Sequence, residues 1–166
     1  MIDPEELATL FDRHAPALEL YVRQWCRDAA DVAQSAFVRL AEQPEAPRQP
    51  VPWLYRVARN LAITRARAES VRRRHQQRLG AEAVSWFVSS AEQAIDAAEA
   101  AAALAELPDD RREVVVLRIW GGLTFDEIAE VLRSSRTTVF RKYTAALASL
   151  KQRLESPCNT NPSNRG

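Results

Sequence analysis

Apolar side chains recur at intervals of three and four residues along most of this chain, which is the spacing of amphipathic α-helices. Asp3 and Pro4 predict the start of the first helix, and Pro16 predicts a break within it. No segment alternates apolar and polar residues as a half-buried strand does. The pattern therefore predicts an all-α fold. The helices predicted after the first begin near residues 28–31, 53, 90, 109, 124 and 136.

Prolines and capping residues separate the predicted helices. The four prolines between residues 43 and 52 predict a loop. Ser90 with Gln93, and Thr124 with Glu127, have the spacing of a capping box, in which each side chain satisfies a backbone N–H group at the helix start. These signals locate the helix boundaries more sharply than periodicity does.

The elements divide into two small helical domains joined by a linker. We predict a first domain over residues 1–78, a linker over residues 79–90 and a second domain over residues 91–155. Residues 156–166 are polar and lack apolar periodicity, so we expect a disordered tail.

The second domain contains the pattern of a helix-turn-helix, whose second helix enters the major groove of DNA. Ala129 is small enough for the two helices to cross closely, and Val139 would fill the angle between them. Arg133 stands where a turn glycine is usual, so either the turn needs no positive φ or Arg133 carries strain. The predicted core of the pair consists of Ile128, Leu132, Val139, Leu147 and Leu150.

The second helix of this pair carries side chains suited to reading DNA. Arginine offers a fork to guanine, threonine offers a methyl and a hydroxyl group, and lysine suits a phosphate. An ordinary helical hairpin is the alternative interpretation. The residues that we predict to contact DNA here are Ser135, Arg136, Thr137, Thr138, Phe140, Arg141 and Lys142.

Charge is unevenly distributed, although the formal net charge is only +1. Residues 52–79 carry a net charge of +7, residues 80–110 carry −7, and residues 133–153 carry +6. Two basic blocks separated by an acidic one are typical of two surfaces that face a polyanion. The alternative is that each block is a solvated helix face, but such faces usually mix both signs of charge.

Several classes of protein are excluded by what the sequence lacks. It has no phosphate-binding glycine loop and no clustered nucleophile, base or carboxylate site, so we expect neither an enzyme nor a cofactor. Cys26 and Cys158 have no partner at metal-ligand spacing, and His14 and His75 lie far apart, which predicts no metal site. The absence of a signal sequence and of an apolar span predicts a cytoplasmic protein without membrane insertion.

Three passages resemble bacterial RNA polymerase sigma factors of the extracytoplasmic-function group. Residues 28–40 are similar to the family's helix that docks on the polymerase β′ coiled coil, and residues 53–63 to its −10 opening helix. Residues 107–150 are similar to its −35-reading domain. The resemblance implies a sigma factor that binds core RNA polymerase and directs promoter-specific initiation, with an anti-sigma protein as an external regulator.

The resemblance also implies roles for individual residues. It places Asp31, Gln34 and Phe37 at the coiled-coil site, with Phe37 in a packing role. It implies that the basic side of the long helix meets the separated non-template strand, and that the proline-rich loop before it receives an extruded base. Trp53 is either a stacking platform or, as we favour, a core anchor. The strand-facing residues predicted on this helix are Arg56, Arg59, Asn60 and Arg67.

Two other functions remain as competing hypotheses. A dimeric helix-turn-helix regulator would bind duplex DNA without polymerase, but it leaves the passage Trp53–Ile63 unexplained. A helical protein-interaction module would show no steep salt dependence of DNA binding. Under the favoured hypothesis, the free chain binds DNA weakly until polymerase separates its two basic faces.

Overall fold

The computed structural model describes residues 1–76 and 94–155, without the side chains of residues 75, 76 and 94–99. Every element within these ranges is an α-helix, which confirms the all-α prediction. The predicted linker, the Ser90 capping box and the predicted tail lie outside the described residues. The helices are α1 (Pro4–Val22), α2 (Ala29–Ala41), α3 (Pro50–Gln76), α4 (Ala94–Ala105), α5 (Asp109–Ile119), α6 (Phe125–Leu132) and α7 (Arg136–Glu155).

Helix α1 continues through Pro16, so the predicted break was wrong. A proline inside a helix removes one backbone hydrogen bond, here to the carbonyl of Asp12, at a cost of about 3 kcal/mol. Both Pro16 and Asp12 are exposed, so water can satisfy that carbonyl. Leu18 and Tyr21, beyond the proline, are fully buried, and their packing stabilises the helix where Pro16 weakens it.

Helix α3 begins at Pro50, three residues before the predicted start at Trp53. Proline lacks the N–H group that the first turn of a helix leaves unpaired, so Pro50 and Pro52 belong to the helix rather than to the loop. The predicted apolar stripe is confirmed, because Leu54 and Ala58 are fully buried between α1 and α2. These three helices form the first domain.

Helix α5 is the centre of the second domain and is buried on all sides over residues 112–117. The guanidinium of Arg112 donates hydrogen bonds of 2.7–2.9 Å to three carbonyl groups at the end of α4, and so holds α4 against α5. Trp120, which the periodicity placed on the buried face, is 38% exposed because α5 ends at the preceding residue.

Helices α6 and α7 form the predicted helix-turn-helix. The capping box is confirmed: Thr124 Oγ1 accepts from the backbone of Glu127 at 3.2 Å, and the Glu127 carboxylate accepts from the backbone of Thr124 at 2.7 Å. Arg133 ends α6 with φ 50° and ψ 49°, so the turn does require the left-handed conformation that glycine adopts most easily. Val139 is fully buried, as predicted for the residue between the helices.

The predicted core of this helix pair needs one correction. Leu147 is 38% exposed, and the fully buried residue at this level of α7 is Ala146. The buried face of α7 turns toward Leu104, Leu107 and Val115 of α4 and α5, because α7 packs on α5 as well as on α6.

The two domains pack directly against each other. Helix α3 contacts α6, and α1 contacts α5. One buried apolar cluster runs through both domains and includes Leu54 and Ala58 of the first and Ile128 and Val131 of the second. Arg56 and Arg59, on the basic side of α3, also contact the second domain.

Candidate nucleic-acid interface

Four of the seven residues predicted to contact DNA through α7 share one exposed face. Arg136, Thr137, Phe140 and Arg141 all point away from the domain core. Phe140 is 52% exposed and rests edge-on against the ring of Phe125, with centroids 5.3 Å apart. A large apolar ring flanked by two guanidinium groups suits contact with base edges and phosphates together.

The other three predicted residues are engaged within the second domain, and so is Arg136, whose Nη1 lies 3.6 Å from the carboxylate of Asp126 on α6. Ser135 Oγ accepts from the backbone N–H of Thr138 at 3.1 Å and donates to Thr138 Oγ1 at 2.9 Å, so both side chains cap the start of α7. Lys142 Nζ lies 3.2 Å from the carboxylate of Asp110 on α5. These contacts place Ser135 and Thr138 at the helix terminus, where backbone N–H groups suit a phosphate, and direct Lys142 toward α5.

The predicted residues of α3 divide into two pairs. Asn60 and Arg67 are exposed. Arg56 and Arg59 are partly buried and point at the second domain, where each meets a glutamate.

Arg59 makes the stronger of these contacts. Its Nε donates to Glu113 Oε1 at 2.6 Å and its Nη2 donates to Glu113 Oε2 at 3.4 Å. The hydroxyl of Tyr21 also donates to Glu113 Oε1, at 2.6 Å. The Arg59 guanidinium lies 5.8 Å from the centre of the Trp25 ring, so the ring supports it on another side.

The electrostatics of this cluster keep the hydroxyl of Tyr21 protonated and the guanidinium of Arg59 charged. Burial, and after it the negative charge of Glu113, raise the pKa of Tyr21 well above its ordinary value, so this hydroxyl keeps its proton and acts as a donor. Desolvation lowers the pKa of Arg59, but the hydrogen bond and charge of Glu113 outweigh it, and the pKa is raised overall.

Arg56 meets Glu130 of α6 at 3.6 Å. The two side chains border a cleft of about 260 Å³ that is also lined by Pro47, Gln49 and Trp53. Trp53 lines this cleft with part of its surface and packs against the apolar core with the rest, as expected for a core anchor. The proline-rich loop and a carboxylate of the second domain thus share one recess.

Sequence reasoning missed Glu113, Glu130 and the hydroxyl of Tyr21. One signal for Glu113 is present in the sequence: it directly precedes Val114, the first of three valines in a predicted core helix. A carboxylate at such a position needs a buried partner. Which arginine supplies the partner depends on how the domains pack, and no local pattern encodes that.

The residues predicted to bind the polymerase coiled coil lie on the other side of the first domain. Asp31 and Gln34 are exposed on α2, whereas Phe37 is buried and packs edge-on against Phe11, with centroids 5.0 Å apart. Gln34 and Phe37 line a groove of about 400 Å³ between α1 and α2. The groove is lined by residues 4–41 alone, so the second domain does not cover it.

Neither a metal-binding cluster nor a membrane-spanning helix occurs in the parts of the chain that the structure describes. Over residues 1–76 and 94–155, no three His, Cys, Asp or Glu side chains are grouped to hold a metal ion. Within the same ranges, no helix is long and apolar enough to cross a membrane.

Two protein-family models match separate parts of this chain. The model of sigma-70 region 2 matches residues 10–72, and the model of sigma-70 region 4 matches residues 97–150. The probable RNA polymerase sigma factor RfaY of Xanthomonas campestris pv. campestris is 29% identical over 162 residues. That match covers 89% of this chain and 39% of RfaY, so the chain spans about two fifths of the length of this curated relative.

Two solved structures share the fold. The sigma factor RpoE from Bartonella quintana, solved in complex with the anti-sigma factor NepR, matches 92% of this chain and 99% of its own with a TM-score of 0.71 and 17% identity. CnrH, solved in complex with the cytosolic domain of CnrY, matches 93% of this chain and 91% of its own with a TM-score of 0.60 and 24% identity. The chain thus carries sigma-70 region 2 and sigma-70 region 4, in that order and on the helices described above.

Proposed function

We propose that this chain is a promoter-specificity subunit that binds core RNA polymerase and directs transcription initiation. The first domain reads and opens the −10 element, and the second domain reads the −35 element. The observation that carries the proposal is the pairing of the two family regions with an exposed face of Arg136, Thr137, Phe140 and Arg141 on the helix that a helix-turn-helix presents to DNA. The subunit has no catalytic role of its own.

The division of labour between the domains is supported by the chemistry of their exposed residues. Helix α7 offers the forked donors and the apolar ring that suit duplex base edges in a major groove. Helix α3 offers Asn60 and Arg67 on its exposed side, with Arg56 and Arg59 beside the second domain. Amide and guanidinium groups suit unpaired bases and the backbone of a separated strand.

Asp31 and Gln34 supply the predicted contact with the β′ coiled coil of the polymerase. Both are exposed on α2, and Gln34 lines the groove between α1 and α2. Phe37 supports this surface from below by packing on Phe11. An anti-sigma protein is proposed as a further partner because RpoE was solved in complex with the anti-sigma factor NepR, and CnrH in complex with the cytosolic domain of CnrY. The proposed place of action is the cytoplasm, where polymerase works.

In vitro transcription tests the proposal as a whole. Core polymerase is incubated with fragmented genomic DNA of the source bacterium, with and without this chain, and the transcript starts are mapped. We expect new starts, sharing two upstream sequence elements, that depend on the chain. If no fragment supports initiation, the proposal is wrong. A shift of promoter DNA by the chain without polymerase would instead favour a stand-alone regulator.

The −35 assignment is tested by replacing Arg141 with alanine. A good arginine contact to a base contributes about 1–3 kcal/mol, so we expect initiation at a −35-dependent promoter to fall about 5- to 150-fold. Lys151→Ala is the matched control, because Lys151 is an exposed cation on the same helix that pairs with Glu155 instead. Equal losses on a template without a −35 element would contradict the assignment.

The polymerase-binding assignment is tested by replacing Asp31 with alanine. We expect weaker binding to core polymerase and an unchanged fold, because Asp31 is exposed and its side chain supports no helix packing. Glu42→Ala is the control, since Glu42 is an exposed carboxylate directly after α2. Unchanged affinity of Asp31→Ala for core polymerase would contradict this role.

A further inference from the structure

Phe140 is a large apolar side chain in the middle of the face that α7 exposes. It is 52% exposed, whereas a phenylalanine ring is stabilised by removal from water. The neighbouring exposed residues of this face, Arg136, Thr137 and Arg141, are polar or charged. An apolar partner that contacts this surface would therefore bind at the ring of Phe140.

The ring of Phe140 is held in place by a second ring, which comes from α6. Phe125 contacts it edge-on, with centroids 5.3 Å apart and ring planes at 88°. Phe125 is itself fixed by the ring of Tyr143, at 5.3 Å between centroids, and by the guanidinium of Arg118, which lies 4.9 Å from its centre. Arg118 Nη1 in turn donates to the carbonyl of Leu123 at 2.8 Å. Phe140 is thus positioned before a partner binds, and it loses little side-chain freedom on binding.

The apolar surface continues one turn further along α7. Thr144 is exposed and lies four residues after Phe140, on the same side of the helix. Its hydroxyl donates to the carbonyl groups of Phe140 at 3.1 Å and of Arg141 at 3.0 Å. Because these hydrogen bonds engage the hydroxyl, the methyl group is what Thr144 offers to a ligand. Phe140 and Thr144 form a short apolar strip on an otherwise polar face.

The major groove of DNA offers one apolar group that matches this strip. The edges of the four base pairs present hydrogen-bond donors and acceptors there, and thymine alone adds a methyl group at C5. A phenyl ring pressed against a donor or an acceptor leaves that polar group without a partner, which is unfavourable once water is excluded. Contact with a thymine methyl avoids this cost and removes apolar surface of both groups from water.

We propose that Phe140 recognises the 5-methyl group of a thymine in the −35 element and is a specificity-determining residue of the second domain. The inference rests on the proposed function of α7 in reading the −35 element, and it adds the chemical group that is read. The competing role for Phe140 is packing on deoxyribose, which every nucleotide carries and which gives no preference among bases.

The experiment removes the methyl group from the DNA. Core polymerase with the full chain initiates at a promoter identified by the transcript mapping above, and each thymine of its −35 element, on either strand, is replaced in turn by deoxyuridine. Deoxyuridine forms the same base pair and lacks only the 5-methyl group. Burial of one methyl group corresponds to about a fourfold change in binding, so we expect initiation at limiting polymerase to fall about fourfold for at least one thymine.

Phe140→Ala shows whether this residue is the one that responds to the methyl group. We expect the variant to initiate more weakly than the wild type on the thymine template and equally on the thymine and deoxyuridine templates. Leu154→Ala is the matched control, because Leu154 is 54% exposed on the same helix but lies about 21 Å further along its axis. It should keep the preference of the wild type for thymine. Circular dichroism verifies that both variants are folded.

The outcomes separate this inference from the proposed function. A preference for thymine over deoxyuridine that Phe140→Ala alone abolishes supports the inference. It is overturned if no deoxyuridine lowers initiation, if Phe140→Ala keeps the preference of the wild type, or if Leu154→Ala loses that preference as well. The proposed function is judged by the wild type on the unmodified promoter, where failure to initiate would overturn it and the inference together.

Discussion

Two buried tyrosines provide a matched test of the hydrogen bond that joins the domains. Tyr21 and Tyr55 are both fully buried, and their rings pack against each other with centroids 5.5 Å apart. The hydroxyl of Tyr21 donates to Glu113 at 2.6 Å. The hydroxyl of Tyr55 has no hydrogen-bond partner among the described residues. Replacing each tyrosine with phenylalanine keeps the ring and removes only the hydroxyl group.

The two substitutions should affect the free energy of unfolding differently. A hydrogen bond to a charged group contributes about 1.5–3 kcal/mol. Glu113 keeps both contacts from Arg59 in the Tyr21→Phe variant, so we expect the lower value, a loss of about 1.5 kcal/mol. For a chain of this size, that lowers Tm by about 3–6 °C. Tyr55→Phe should leave stability within about 0.5 kcal/mol or raise it, because an unpaired buried hydroxyl destabilises the folded state.

Urea and thermal unfolding, followed by circular dichroism and tryptophan fluorescence, measure both changes. Coincidence of the two signals checks that the domains unfold together, as two-state analysis requires. A double-mutant cycle with Glu113→Gln isolates the contact, and we expect the effect of Tyr21→Phe to shrink in that background. If Tyr55→Phe is destabilised as much as Tyr21→Phe, the loss comes from the shared ring environment and our reasoning is wrong.

Three further predictions concern the second domain, and each is checked by the free energy of unfolding. Arg133→Gly should stabilise the protein by about 0.5–1 kcal/mol, because φ at this position is 50° and glycine adopts it without strain. A lower free energy of unfolding would mean that interactions of the Arg133 side chain stabilise the protein by more than the strain destabilises it. Thr124→Ala should cost about 1 kcal/mol by removing the capping box of α6, and a change near zero would contradict that role. Leu147→Ala should cost far less than Leu117→Ala, for which we expect about 2–5 kcal/mol, because Leu117 is fully buried; similar costs would contradict the assigned face of α7.

Local signals located the helices of the second domain well. Thr124 and Glu127 fixed the start of α6, because a capping box satisfies backbone groups within its own turn. The predicted start of α7 at Arg136 agrees with the structure for the same kind of reason, since Ser135 caps it. Reasoning from local sequence signals failed where tertiary packing determines helix continuity or which side chain is buried. Packing stabilises α1 as a continuous helix through Pro16, where a break was predicted. Contact with α5 buries Ala146 in the core, where Leu147 was predicted.

The candidate site also has features that the local sequence predicts and features that depend on packing between the domains. The exposed face of α7 could be predicted, because residues 136–153 carry no acidic side chain and an amphipathic helix leaves one side exposed. The contacts of Arg56 and Arg59 could not be predicted, because each partner lies in the other domain. The net charges of the segments gave only a partial indication of these contacts. They identified α3 as basic but did not place Glu113 and Glu130 against it.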